Sequence, residues 1–449
     1  MKRAYEILLV TGLFLAVFFI YRGQPRISLN EGRGWDGASY YEITEQIWKG
    51  KDQIQGELPY IKRIGTHFLV ATYAQVSGEN LLDSALAVNL FGVFCTAVLL
   101  VFWLRIFVDV FWIRFLLIGL FLTAWFVPLR FSFYYPMLTD AWGALWFVVG
   151  LLLLQTIQRA CESGQSVLGY TLIFSIVVAI GSLFRESNAV LAIALFFVVN
   201  PVGGKEILLQ PVTTMWKAFT DKFRSSYGGG RFLIFCLPLV LLLLANMIVS
   251  LYVHNTATDY SYPKAILVWF YEKSVPECIL GACIAFGPLL VLLPFYYRQF
   301  LTFLKEQQHL MIILLVALVL GYISGQDTER IFFMSSFPII FILTGKAANM
   351  IYNSPQRWWL FVLIFLQTIA YRLYWFLPDY PSQTTHAPVP FFGIMGSDFQ
   401  YLCLYSHHGN RLINTVLLGE YIFLLVLTLY ILHHRVVFPF LTGKTANSK

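Results

Sequence analysis

Charge is what this chain lacks most. Charged side chains make up 12% of its 449 residues, about half the share of a soluble domain, which excludes an ordinary globular protein. The six cysteines show no metal-site spacing; Cys95, Cys236 and Cys283 fall inside apolar runs as small packing residues. Cys278 and Cys403 remain open as a pair outside the membrane. The glycine-rich Ser225-Ser-Tyr-Gly-Gly-Gly-Arg231 run lacks the Gly-Lys-Ser/Thr of a phosphate loop and reads as a flexible lead into the next span. Internal repeats are missing, which counts against a transporter built from symmetric halves. No Asn-x-Ser/Thr sequon occurs, which points to a bacterial source.

What the chain has instead is hydrophobic residues, 58% of the total, in long uninterrupted runs. Runs of about 20 residues match helices crossing a hydrocarbon core of roughly 30 Å; a barrel would need short alternating segments. The expected fold is an all-α polytopic membrane protein, a single domain over residues 1–449 with about twelve transmembrane helices. The spans read as 5–21, 81–104, 115–127, 138–157, 167–184, 189–199, 232–252, 279–297, 310–324, 331–343, 358–377 and 412–432. The net charge of +7 does not indicate nucleic acid, because Lys and Arg sit in short loops between apolar runs, the pattern that orients membrane proteins. Lys2 and Arg3 hold the first span's start inside as an uncleaved anchor, and both termini are expected in the cytoplasm. The loop at 201–231 is the main cytoplasmic one, and 378–411 is a late extracytoplasmic loop. Span 189–199 is short for a crossing, so its turn is expected to lie below the surface or to line a cavity.

The first outer loop, 22–80, carries interfacial helices. Tyr40, Ile43, Ile47 and Trp48 recur at helical spacing, and Glu45 to Lys49 is a favourable i,i+4 pair. A second such helix is expected over 61–76, where Arg63 and His67 interrupt the apolar run. Polar features fall on the same outer face at helix ends: Asp36, Thr139-Asp140, Arg185-Glu186, and Gln326-Asp327-Thr-Glu-Arg330. Ionisable groups beside apolar segments cost several kcal/mol unless paired or wet, so a shared polar cavity is the economical explanation. Each also has a plain structural reading: Asp36 as a helix cap, Asp140 as an acid suited to a helix dipole, Arg185 as a snorkelling cation. His407-His408 and His433-His434 read as solvated loop pairs without a third ligand.

Trp35-Asp36-Gly37-Ala-Ser-Tyr40-Tyr41-Glu-Ile43 is similar to the Asp-centred first-loop motif of the GT-C superfamily of membrane glycosyltransferases. Tyr135-Pro-Met-Leu-Thr-Asp140-Ala resembles their second acidic position. Pro59-Tyr-Ile-Lys-Arg63 and Arg330-Ile-Phe-Phe-Met-Ser-Ser-Phe-Pro338 look like arginine-bearing segments of bacterial members. Many members carry paired acids in the first loop; here Gly37 follows Asp36, and the nearest preceding acid is Glu31. The resemblance implies an inverting glycosyltransferase using a polyprenyl-phosphate sugar donor in the bacterial inner membrane, with its active site facing outward. The acceptor would be a glycan, lipid or protein hydroxyl. It implies Asp36 and Asp140 as catalytic carboxylates, Arg330, Arg185 and Arg63 on the donor phosphate, and Glu186, Asp327 and Tyr40 around the acceptor. It also admits a divalent cation, Mg or Mn, shared by Asp36 and Asp140. The competing readings are a lipid-linked sugar flippase or transporter, and an envelope polysaccharide polymerase or ligase that would use the late loop.

Overall fold

The computed structural model describes residues 2–124, 128–199, 231–256, 261–325, 328–355, 357–371, 373, 376–377 and 411–433. Asp327, Cys403, His407, His408, His434 and the loops at 201–230 and 378–410 lie outside these. The described chain is almost wholly helical. Helices α1 (Lys2–Tyr21), α4 (Leu81–Arg105), α5 (Phe111–Thr123), α6 (Pro128–Tyr134) and α7 (Asp140–Glu162) pack around one another, with α4 against α7 at the centre. Ahead of α4 come α2 (Asp36–Trp48) and α3 (Ile64–Ser77), both between the first span and α4. After α7 come α8 (Leu168–Ser182), α9 (Val190–Val199) and α10 (Arg231–Tyr252). The later half has α11 (Tyr262–Glu272), α12 (Val275–Phe286), α13 (Leu292–Phe295), α14 (Tyr297–Glu306), α15 (Gln308–Ile323), α16 (Thr328–Tyr352), α17 (Trp359–Ala370) and α18 (Arg411–Ile431). Helix α16 is the most enclosed of the long apolar helices and touches α4, α5, α7, α12, α15 and α17.

Six described spans are long and apolar enough to cross a membrane, or seven if the pair α14–α15, bent by 114°, counts as one. Five more apolar helices have 10–17 residues, so the expected twelve is reached only if all of these cross. The differences from the expected spans have local causes. Span 331–343 widens to Thr328–Tyr352, because Lys346 does not end the helix; its ammonium sits 4.6 Å from the Phe303 ring centroid. Pro338 is inside that helix, and its carbonyl accepts from Trp103 Nε1 at 3.0 Å. Pro128 opens α6 instead of closing a span, in keeping with proline's tolerance at a helix start.

Where helices break, buried polar side chains occupy the seams. Asn188 donates to the carbonyls of Gly181 (2.9 Å) and Gly143 (3.3 Å), which stitches the 3-10 turn Glu186–Ala189 between α8 and α9 onto α7. Gln367 donates to Phe286 O (3.0 Å) and accepts from Leu289 N (3.1 Å) where Gly287 turns the chain at φ +56. Arg130, fully buried, donates to the Tyr21 hydroxyl and to Thr123 O (3.2 Å), joining α6 to α1 and α5. Two features escaped the sequence reading. Strand β1 (Ile54–Gly56) pairs in parallel with β2 (Val253–Asn255), and α11 has no buried residue.

At the end of the bundle carrying the first span's start, Glu6 lies 2.6 Å from Arg114 Nη2 and 3.6 Å from Arg105 Nη1. Arg114 also donates to the carbonyls of Val108 (2.8 Å) and Asp109 (2.6 Å), closing the turn between α4 and α5. Glu6 and Arg114 are both nearly enclosed. Removing one partner of such a pair costs about 3–5 kcal/mol, whereas replacing both with apolar groups costs far less. Arg114→Met is therefore expected to lower the thermal unfolding midpoint in detergent, and Glu6→Leu/Arg114→Met to recover part of the loss.

Candidate functional site

The first loop is fastened to the bundle at the start of α2. The backbone N–H of Gly37 donates to the Tyr135 hydroxyl at 2.5 Å. Both Gly34 (φ +72) and Gly37 lie so close to the Tyr135 ring that a Cβ at either position would collide with it. The Trp35 ring meets Tyr135 edge-on at 6.2 Å. This explains why glycine follows Asp36: the tyrosine that seats the helix needs the space. Asp36 opens α2, half-buried, and its Oδ1 accepts from the Tyr60 hydroxyl at 3.1 Å. Burial, then the Asp36 charge, pushes the Tyr60 phenol above its ordinary value, so at neutral pH it stays a donor to the carboxylate.

One turn further along α2, the Tyr40 ring packs edge-on against Tyr60 (5.2 Å) and tilted against His67 (4.9 Å). The Tyr40 hydroxyl accepts from Arg63 Nη1. Arg63 Nε in turn contacts both Glu186 oxygens, at 3.2 and 3.0 Å. That arginine therefore bridges the first loop to the turn between α8 and α9.

The other half of the site lies where α7 and α16 begin. Asp140, buried in the first turn of α7, faces Arg330 Nη1 through Oδ2 at 3.3 Å and pairs with Arg185 Nη1 through Oδ1. Gly143 lets the Arg185 side chain lie across α7; a Cβ there would meet it at 3.0 Å. Burial, then the positive charges of Arg63 and Arg330, pulls the Arg185 guanidinium down to about 9. It is still charged at neutral pH, in a region where like charges have been gathered. Tyr135 links the halves: it holds Gly37, and its phenol feels the charges of both Asp36 and Arg330.

The structure thus places Asp36, Tyr40, Arg63, Asp140, Arg185, Glu186 and Arg330 in one contiguous cluster. Sequence reasoning did not single out Tyr60, Tyr135, His67 or Thr44. The first two lie inside the Pro59–Arg63 and Tyr135–Asp140 motifs, so the signal was present but was assigned to the charged neighbours.

The cluster does not fit a divalent cation held by Asp36 and Asp140. Each Asp140 oxygen faces a guanidinium, which would repel a cation, and Asp36 Oδ1 is engaged by Tyr60. Among the described residues, no three His, Cys, Asp or Glu side chains gather in a set suited to a metal.

No family model and no curated protein sequence matches this chain. A solved structure does: archaeal oligosaccharyltransferase AglB from Archaeoglobus fulgidus, in complex with an inhibitory peptide and a dolichol-phosphate. The TM-score is 0.52 at 14% identity, over 83% of this chain and 56% of that one. The likeness is one of fold. This chain spans little more than half the length of that protein.

Beneath Tyr40, Thr44 donates its hydroxyl proton to the Tyr40 carbonyl at 2.8 Å. His67 Nδ1, 3.0 Å from the same hydroxyl oxygen, is therefore the donor of that pair. Burial, then Arg63, depresses His67 to about 3 from an ordinary 6.5. The folded state binds fewer protons than the unfolded one, so this contribution to stability is complete above pH 6.5 and is lost as pH falls toward 3. Thermal unfolding followed between pH 7 and 4 is expected to show a steeper acid loss in the wild type than in His67→Gln, where no imidazole awaits protonation.

Proposed function

We propose that this protein transfers a sugar from a polyprenyl-phosphate-linked donor to an acceptor hydroxyl, with inversion, on the extracytoplasmic face of a bacterial inner membrane. The observation that carries the reading is the convergence of Arg185 and Arg330 on Asp140, with half-buried Asp36 joined to the same cluster through Tyr135. A lipid phosphate leaving an anomeric carbon gains negative charge, and fixed donors in a region screened from water stabilise that charge most. Guanidinium groups match phosphate oxygens in a planar fork. Asp140 holds two of them in place before any donor binds.

In this step the acceptor oxygen attacks the anomeric carbon and the bond from that carbon to the phosphate oxygen breaks. The electron pair departs with the phosphate toward Arg330, Arg185 and Arg63, and the acceptor proton passes to Asp36. Tyr60 orients the Asp36 carboxylate from one oxygen, leaving the other to face the acceptor. Glu186 steers Arg63, and Tyr40 and Asp327 would border the acceptor; Asp327 immediately precedes α16. No part of the step is routed through a metal. The two carboxylates and three arginines belong to helix ends and connecting turns rather than to helix centres. That favours transfer at one surface over a flippase, whose charged site would lie near the bilayer midplane. The basic loops between spans support a reading with both termini in the cytoplasm.

Positioned general bases contribute about 10²- to 10⁴-fold. Asp36→Asn is expected to reduce transfer from a mixed pool of polyprenyl-phosphate sugars by about that factor while polyprenyl phosphate still binds. Wild-type turnover in the mutant would remove Asp36 from the chemistry and leave it as part of the helix start. Arg330→Met is expected instead to weaken polyprenyl-phosphate binding itself, measured by titration in nanodiscs.

A further inference from the structure

Asn89 is a polar side chain inside the apolar run of α4, only 2% exposed. A buried amide in such a helix is costly unless paired, and polar groups there tend to mark functional places. Its Nδ2 donates to the carbonyls of Pro136 (2.6 Å) and Leu138 (2.9 Å), in the turn between α6 and α7. Two carbonyls accept and neither can donate, so the amide is oriented with both of its N–H bonds on the turn. Its Oδ1 is left without a hydrogen-bond partner among the described residues. Within the turn itself little else braces the backbone. Pro136 has no N–H to give, the Leu138 N–H reaches Tyr135 O only at 3.4 Å, and Thr139 makes no side-chain cap at the start of α7.

This turn carries one residue of the site at each end. Tyr135 holds the Gly37 N–H and so seats Asp36, while Asp140 faces Arg185 and Arg330. Met137 lies between them, with its Cβ 3.1 Å from where a Cβ on Gly37 would fall. We infer that Asn89 is a positioning residue, setting the distance between Asp36 and the two arginines by clamping the turn that joins their supports. The inference rests on the proposed function. Asp140 is also held through α7 itself, because Trp142 Nε1 donates to Val88 O of α4 at 3.1 Å. Freeing the turn therefore lets the Tyr135 end move while Asp140 keeps its arginines. Donor binding persists, but the acceptor proton and the departing phosphate are no longer met in one geometry. Misplacement by about 1 Å from a remote substitution can cost about 10²-fold in rate.

The test compares the full-length wild type, Asn89→Leu and Asn89→Ser in nanodiscs. Three quantities are read: transfer from a mixed pool of polyprenyl-phosphate sugars, polyprenyl-phosphate binding, and the fluorine NMR signal of Trp35 in fluorotryptophan-labelled protein. Leucine keeps a branched side chain without the donors. Serine adds no bulk and leaves room for a water at the two carbonyls, which guards against a leucine variant that fails to fold. Trp35 precedes Asp36 and meets Tyr135 edge-on, so its ring reports on that end of the turn; Trp35→Phe assigns the signal. The expected result is a fall in kcat of about 10²-fold for Asn89→Leu and a smaller fall for Asn89→Ser. Polyprenyl-phosphate affinity is expected to be unchanged and the Trp35 signal to move in both. A purely structural role predicts lower thermal stability, with wild-type kcat and an unmoved Trp35 signal in the folded protein, and that result would overturn the assignment. Loss of polyprenyl-phosphate binding equal to the loss of transfer would overturn it too. The proposed reaction fails separately: a wild type that transfers nothing removes it, and the Trp35 signal then decides alone whether Asn89 places the first loop.

Discussion

Asp140 is the residue on which the rest of the site depends. A guanidinium cannot shed its charge at neutral pH, and placing one in an apolar bundle costs several kcal/mol without a partner. Two arginines from different parts of the chain, Arg185 before α9 and Arg330 in α16, face the same carboxylate in the first turn of α7. That carboxylate brings together the two halves of the sequence. It also leaves two cations aimed at one anionic position, as the proposed donor phosphate would need, with Arg63 close enough for its charge to be felt at Arg185. A donor phosphate would join an existing electrostatic arrangement, so little reorganisation is asked of the protein when charge develops.

The first loop solves a different problem. It lies outside the tightly packed helices and still has to hold Asp36 at a defined place. Hydrogen bonds at tyrosine hydroxyls do this: Gly37 N–H donates to Tyr135, Tyr60 donates to Asp36, and Arg63 donates to Tyr40. The parallel pairing of Ile54–Gly56 with Val253–Asn255 ties the same loop to the far half of the chain. Because Tyr135 holds Gly37 and its phenol feels both Asp36 and Arg330, a shift of α2 would be felt at both the carboxylate and the cations.

Much of this was legible in the chain itself. Uninterrupted apolar runs located α1, α4 and α7 to within a few residues, because lipid-crossing helices need length and little else. The placement of Asp36, Asp140, Arg185, Glu186 and Arg330 at run ends was enough to suggest that they meet, since such groups are costly apart. The tyrosines were harder to read. Tyr60 and Tyr135 look like any of the 25 tyrosines of an aromatic-rich membrane protein, and only their partners distinguish them. Helix α11 escaped notice because its 11 residues, about three turns, fall well short of a membrane crossing and read as part of the loop between spans. Strand β1 escaped because three residues in a polar loop show no alternation. The breaks at Gly287 and Asn188 depend on distant side chains, Gln367 and the Gly143 carbonyl, which no local pattern reveals.

Those breaks bear on how the proposed phosphate site would arise here. Asp36, Asp140 and Arg330 lie in the first turns of α2, α7 and α16, so three helix N-termini are brought to one region. Each helix start carries unpaired N–H groups and roughly half a positive charge, and anions are favoured there. Continuous spans would bring such ends to the water surface, where solvent screens them. Short and broken elements, the Asn188 turn among them, set the ends beside packed apolar walls instead, and polar seams such as Asn188 satisfy the backbone that the breaks expose. The carboxyl groups at these three starts, Asp36, Asp140 and Glu329, offset part of the local positive potential when no donor is present. The arginines, together with the helix ends, then supply the excess that a phosphate would neutralise. A membrane bundle made only of long regular helices would have no comparable place to hold a charged leaving group away from water.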